Sequence, residues 1–140
     1  MPLARARRTA AALAGTVAIG LLGAVPAPAD AAPRYQPWGS TSSKDFRLKV
    51  GCHPYRFTYK ITAPTDEWAA EFFVVNPNGR VIASPAIDAG SDGPRGTITY
   101  TVCKPSTVRG VHKIKMKVTW QDGRFITAGF TKPTRFRFTR

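Results

Sequence analysis

The chain has 140 residues, and its 21 lysines and arginines against eight acids give it a formal net charge of +13. A chain of this length is enough for one domain with one modest core. The excess of cations favours anionic partners and says little about the fold.

Residues 1–31 have the composition of a secretory signal peptide. The first eight residues contain three arginines and no acid, an apolar run rich in alanine and glycine follows, and the segment ends in Ala29-Asp30-Ala31. This order predicts cleavage before Ala32, with cleavage after Ala27-Pro28-Ala29 as the second choice, and a secreted, extracellular product. The apolar run is too short and too rich in glycine for a good membrane span, so we expect a released protein without one.

The product predicted to begin at residue 32 keeps 18 cations and seven acids, a net charge of +11. Its first part, residues 32–44, contains two prolines, one glycine and three serines and has no apolar periodicity. We therefore expect a flexible leader over 32–44 and a folded β-sandwich domain over 45–140.

The folded part is predicted to consist of β-strands. Apolar and polar residues alternate with a period of two along most of it, and no segment has a convincing helical period. Asn76–Gly79 and Asp122-Gly123 have the composition of hairpin turns. The predicted strands are 46–50, 55–61, 68–75, 81–84, 96–102, 111–120, 125–130 and 134–139. About eight short strands with regular turns predict an all-β, antiparallel sandwich.

Residues 45–139 resemble small secreted immunoglobulin-like domains of high-GC Gram-positive bacteria. The resemblance rests on the strand rhythm, the segment "CHPYRFTYKI", the "NPNG" and "DG" hairpins and one cysteine pair spanning half the domain. It implies an immunoglobulin-like β-sandwich of about seven to eight strands and no particular activity.

Cys52 and Cys103 are the only cysteines in the chain. In an oxidising compartment such a pair is expected to form a disulfide. Successive residues of a strand face opposite sides, and by this count Cys52 faces inward with Val50. Cys103 instead faces outward with the neighbouring threonines. We therefore expect the disulfide at the rim of the domain, near strand ends, unlike the bridge that pins the two sheets of an antibody domain.

Two patterns raise the question of a metal. The cysteines with His53 and His112 have poor spacing for zinc, whose structural ligands come in pairs two to four residues apart. The segment "DAGSDG" offers only Asp88 and Asp92 toward a calcium loop, and Asp and Gly are ordinary in surface loops. We expect no metal and no cofactor.

Catalysis has little support in the sequence. The only cluster of acids is Asp66, Glu67 and Glu71, and no G-x-S-x-G nucleophile motif is present. A small secreted hydrolase stays open as an alternative, and it would need His53, His112 or this acid cluster to converge in a pocket. His112 lies at an alternate position in step with the inward-facing apolar residues of its strand, which favours a buried structural histidine.

Two cationic rows are the candidate binding residues: Lys113, Lys115 and Lys117 in one, Arg135 and Arg137 in the other. Mixed strings such as "YRFTYK" also raise the possibility of nucleic acid binding. Neighbours along a strand point to opposite faces, so the aromatic and basic residues of such a string cannot share a surface, which argues against nucleic acid. In an immunoglobulin-like sandwich the lysine row would lie on one sheet. The other sheet would carry Arg47, Lys49, Arg56 and Lys60, which together would make a diffuse coat.

The sequence thus predicts a secreted, non-catalytic, cationic β-sandwich that binds anionic cell-wall or other cell-envelope polymers, or acidic surface proteins. One alternative is an inhibitor or effector that presents loop 85–95 to a target protein, and another is the hydrolase.

Overall fold

The structure, a computed structural model, describes residues 33–140. The predicted signal peptide, residues 1–31, lies outside the described residues.

The described chain is all-β, as predicted, with one short 3-10 turn at Lys104–Ser106. It contains ten strands rather than seven or eight, because two segments that were not predicted as strands, Gly39–Ser42 and Ala86–Asp88, also pair. These are too short for an alternating pattern to mark them. The strands are β1 (Gly39–Ser42), β2 (Phe46–Arg47), β3 (Cys52–Ile61), β4 (Trp68–Val75), β5 (Val81–Ala83), β6 (Ala86–Asp88), β7 (Arg95–Cys103), β8 (Gly110–Asp122), β9 (Phe125–Phe130) and β10 (Thr134–Thr139).

The strands form two sheets, here called sheet A and sheet B. Sheet A has the order β1-β3-β7, and sheet B has the order β2-β10-β8-β4-β5, with β6 also paired to β4 and β9 to β8. One of the two sheets curls into a half-barrel. The pairing is antiparallel throughout except between β2 and β10, which run parallel. The sheets are otherwise antiparallel, as predicted.

Part of the segment predicted to be a flexible leader forms a strand. Residues 39–42 form β1, paired in register along β3, and Trp38 packs against the core, with its ring 5.6 Å from that of Trp120. Gly39 permits this approach, because a Cβ there would collide with the Lys60 carbonyl and its φ is +152°. A small polar segment can therefore pair as a strand without showing any apolar alternation.

Aromatic residues from both sheets meet in one core. The ring of Phe57 on β3 lies 5.2 Å from that of Phe72 on β4, and Tyr55 lies 4.7 Å from Phe138 on β10. The apolar rows of β8 and β10 that alternation predicted to face inward are buried here. The alternate residues of these strands, which include the cations, therefore lie on the side of sheet B that faces away from the core.

The predicted disulfide is present between Cys52 and Cys103, with the two Cα atoms 3.9 Å apart. It joins the first residue of β3 to the last residue of β7, which are direct partners within sheet A. Its place at the strand ends confirms the prediction of a rim position.

One of the two predicted hairpin turns is confirmed, and the other is shifted by one residue. Asn76–Gly79 turns as expected, since the Asn76 side chain accepts hydrogen bonds from the amides of Asn78 and Arg80. The second turn lies one residue later than predicted, because β8 continues through Asp122, which pairs with Phe125. Gly123 then takes the first loop position with φ +57°, as a type II′ turn requires.

Candidate functional site

The two predicted cationic rows lie on neighbouring strands and on the same side of sheet B. Strands β8 and β10 pair directly, with Arg135 opposite Lys113 and Arg137 opposite Val111. Because cross-strand partners point to the same face, the lysines of β8 and the arginines of β10 share one surface, opposite the core.

Arg47 belongs to the same surface. It pairs with Thr139 at the end of β10, while its neighbour Phe46 packs inward on Phe138. The prediction that placed Arg47 on the other sheet together with Arg56 is wrong, because β2 adds to β10 instead of continuing toward β3. We call this surface the basic face: Arg47, Lys113, Lys115, Lys117, Arg135 and Arg137.

Few acids neutralise the basic face. The Lys117 Nζ lies 3.1 Å from a carboxylate oxygen of Glu71, and this is the one ion pair among residues 33–140. The Asp45 carboxylate accepts a hydrogen bond from the backbone amide of Arg137 at 2.7 Å. Asp45 and Arg137 also line a shallow concavity of about 240 Å³ with Arg135 and Val111. Five of the six cations therefore have no carboxylate within ion-pair distance in the part of the chain that the structure describes.

Two phenylalanines adjoin the lysine row, and sequence reasoning did not single them out. Phe73 on β4 lies opposite Lys115, and Phe130 on β9 lies opposite Lys117. Phe130 is 43% exposed, and its ring lies 6.2 Å from that of Phe73. The sequence could have identified Phe73, because it lies two residues after Glu71 in "AAEFFVV" and therefore faces the same outward side of the strand.

Loop 85–95, the site of the alternative inhibitor function, borders a second concavity. The residues that line this open hollow of about 500 Å³ include Asp66, Ala69, Asp88, Thr119 and Ile126. The Asp88 carboxylate accepts hydrogen bonds from the amides of Gly90 and Ser91, so it shapes the loop itself. No group of three or more His, Cys, Asp or Glu able to hold a metal ion occurs within residues 33–140.

The acid cluster of the hydrolase alternative is divided between two places. Asp66 and Glu67 border the larger concavity, whereas Glu71 pairs with Lys117. His53 hydrogen bonds through Nε2 to the carbonyl of Val50 at 2.7 Å. These groups do not assemble around one nucleophile.

His112 is a structural residue at the start of β8. Its side chain is 0% exposed; Nδ1 donates to the Gly110 carbonyl at 3.0 Å, and Nε2 accepts from the Thr107 hydroxyl at 2.7 Å. Burial lowers the pKa of His112, and the hydrogen bond to Gly110 opposes that shift. Both nitrogens are engaged, so this ring cannot act as a general base toward solvent.

The lowered pKa of His112 predicts a loss of stability in mild acid. The unfolded imidazole titrates near pH 6.5, and below that pH the unfolded state binds a proton that the folded state resists. The free energy of unfolding should therefore fall as the pH drops below about 6.5 and level off once the pH is below the folded pKa. Denaturant unfolding at pH 7.5, 6.5 and 5.5 measures this. His112→Gln should flatten the profile, and an unchanged profile in that variant would refute the assignment.

No protein-family model matches the chain, and a search of curated proteins found no match either. Residues 33–140 contain no α-helix with the length and hydrophobicity of a membrane span.

Proposed function

We propose that the protein is a secreted, non-catalytic module that binds linear polyanions, such as anionic cell-envelope polymers, through the basic face. The observation that carries the proposal is the convergence of six cations from three adjacent strands on one side of sheet B. Within residues 33–140, Lys117 is the one cation of this face that is paired with a carboxylate.

The arrangement suits an extended chain of negative charges better than a single compact anion. Lysines at every second position of a strand are roughly 6.7 Å apart, and neighbouring strands lie about 4.8 Å apart. The cations therefore form a lattice that a flexible polymer can follow across β8, β10 and β2. The +11 charge of the predicted secreted product would also speed its encounter with such a polymer.

We also propose that the two sheets form an immunoglobulin-like sandwich of the kind seen in small secreted bacterial domains. The single core shared by aromatics of sheets A and B supports this fold. Two features depart from the antibody-type pattern: the disulfide lies within sheet A, and β1 pairs with β3. The disulfide itself agrees with export to an oxidising compartment.

Binding of long-chain polyphosphate at several salt concentrations tests the function. For a single-stranded polyanion the slope of log K against log salt is about −0.7 for each charge neutralised, so engagement of all six cations gives about −4. We expect a slope between about −3 and −4 in fluorescence-detected titrations from 50 to 300 mM NaCl. A protein that fails to bind polyphosphate even at 50 mM NaCl would contradict the proposal.

The inhibitor alternative is supported by a different observation, the concavity beside loop 85–95. Its border is acidic and apolar, with Asp66, Asp88 and Ile126, so a target held there would be recognised without the basic face. Such binding would persist at high salt and be lost on substitution of the loop. The steep salt dependence expected above would distinguish the two functions.

A further inference from the structure

The aromatic pair Phe73 and Phe130 lies on the same surface as the basic face. Lys115 is the cross-strand partner of Phe73, and Lys117 is the partner of Phe130. Directly opposite residues on antiparallel strands have Cβ atoms about 4.5–5.5 Å apart. An exposed ring and two ammonium groups therefore lie within reach of one ligand.

This placement removes the geometric objection to nucleic acid. Along a strand, aromatic and basic neighbours face opposite ways, and the rings of "YRFTYK" are indeed buried in the core. Cross-strand partners, by contrast, face the same side of a sheet. Phe73 of β4 and Phe130 of β9 therefore flank the lysines of β8 and point outward with them. The shared surface combines the β8–β9 hairpin with β4, which is distant from that hairpin in sequence.

We propose that the basic face binds single-stranded nucleic acid, with a base stacked on Phe130 and backbone phosphates held by Lys113, Lys115 and Arg135. This inference rests on the proposed polyanion function, because the same cations hold the phosphates. Proteins that bind single strands without sequence preference combine stacking on aromatic rings with a cationic track.

The aromatic pair would give a polyanion that carries aromatic bases a higher affinity than one of equal charge without them. Polyphosphate and saturated sugar rings offer no π-face to Phe130, whereas every base does. Each base stacked on an aromatic side chain contributes about 1–3 kcal/mol. The base must also be unpaired to reach the ring, because a duplex keeps its bases stacked on one another. The ligand class is therefore a single strand rather than a double helix.

A pair of oligonucleotides that differ only in their bases tests the inference. The probes are a twelve-residue oligothymidylate and an abasic strand with the same phosphates, titrated by fluorescence anisotropy at 50 and 100 mM NaCl. The full protein should bind the thymidylate about tenfold more tightly than the abasic strand, which corresponds to about 1.4 kcal/mol. Phe130→Ala and Phe130→Leu should bring that ratio close to one and leave the abasic affinity unchanged.

Two further variants provide matched controls. Phe125→Ala removes a more exposed ring of the same strand, 78% exposed, at the hairpin end, and should leave the ratio unchanged. Lys115→Gln should weaken both probes equally, because it removes a charge and no ring.

The possible outcomes separate the inference from the proposed function. Equal affinity for the two probes, or a ratio that survives Phe130→Ala, overturns the nucleic acid inference but leaves polyanion binding intact. Failure to bind either probe or polyphosphate at 50 mM NaCl overturns both. Heparin binding that depends on Phe130 as strongly as thymidylate binding would assign the aromatic pair to glycans and also overturn the inference.

Discussion

Substituting glutamate for both Lys113 and Arg135 is expected to weaken polyphosphate binding by roughly a hundredfold. The two residues are cross-strand partners at the centre of the basic face, and the double substitution removes two attractions and adds two repulsions. A contact between unit charges at 4 Å in water is worth about 1 kcal/mol. The four changes therefore total about 4 kcal/mol before salt screening, which reduces them. Titration with polyphosphate at 100 mM NaCl measures the loss.

A matched variant on the other sheet separates a localised site from a general charge effect. Arg56→Glu with Lys60→Glu makes the same change in net charge on the exposed side of β3 in sheet A. If binding is confined to the basic face, this control should lose less than tenfold. Equal losses in the two variants would mean a diffuse cationic coat and would contradict a single binding face.

Replacing both cysteines with serine is expected to lower the free energy of unfolding by about 4 kcal/mol. The bridge closes a loop with a sequence separation of 51 residues, and the chain-entropy model gives about 3 kcal/mol for a 15-residue loop and 4.7 kcal/mol for 100 residues. For a domain of this size that is a large share of the total stability. Guanidinium unfolding of the oxidised protein and the variant measures the difference.

Reduction gives an independent control for the same prediction. Dithiothreitol should destabilise the wild-type protein to about the level of the variant and leave the variant unchanged. A change of less than about 1 kcal/mol in both experiments would show that the pairing of β3 with β7 needs no covalent support.

The longer strands could be predicted because each presents a clear alternation of apolar and polar residues. β3, β8 and β10 are clear cases, since a buried residue occupies every second position over most of each strand. The short strands could not be predicted in this way. β1 consists of Gly-Ser-Thr-Ser, and its pairing depends on the space that Gly39 leaves beside the Lys60 carbonyl.

The basic face illustrates a second limit of sequence reasoning. Alternation identifies which residues point outward, but it does not say which strands are neighbours. β8 is 13 residues long, and one of its edges is shared by two strands. β10 pairs with residues 110–114 and β9 with residues 117–122. That division brings Arg135 beside Lys113 and Phe130 beside Lys117, although the sequence separates the members of each pair by more than ten residues.

The parallel pair of β2 and β10 has a mechanical consequence. β2 lies near the start of the described chain and β10 near its end, and Leu48 donates its amide hydrogen to the Thr139 carbonyl, while Asp45 accepts from the Arg137 amide. Tension applied to the two ends would slide these strands past each other along their length. The hydrogen bonds between them would be loaded together instead of opening one at a time. Under such tension β1 would detach first, because it precedes β2 in the chain. The hydrogen bonds between β2 and β10 would then bear the force.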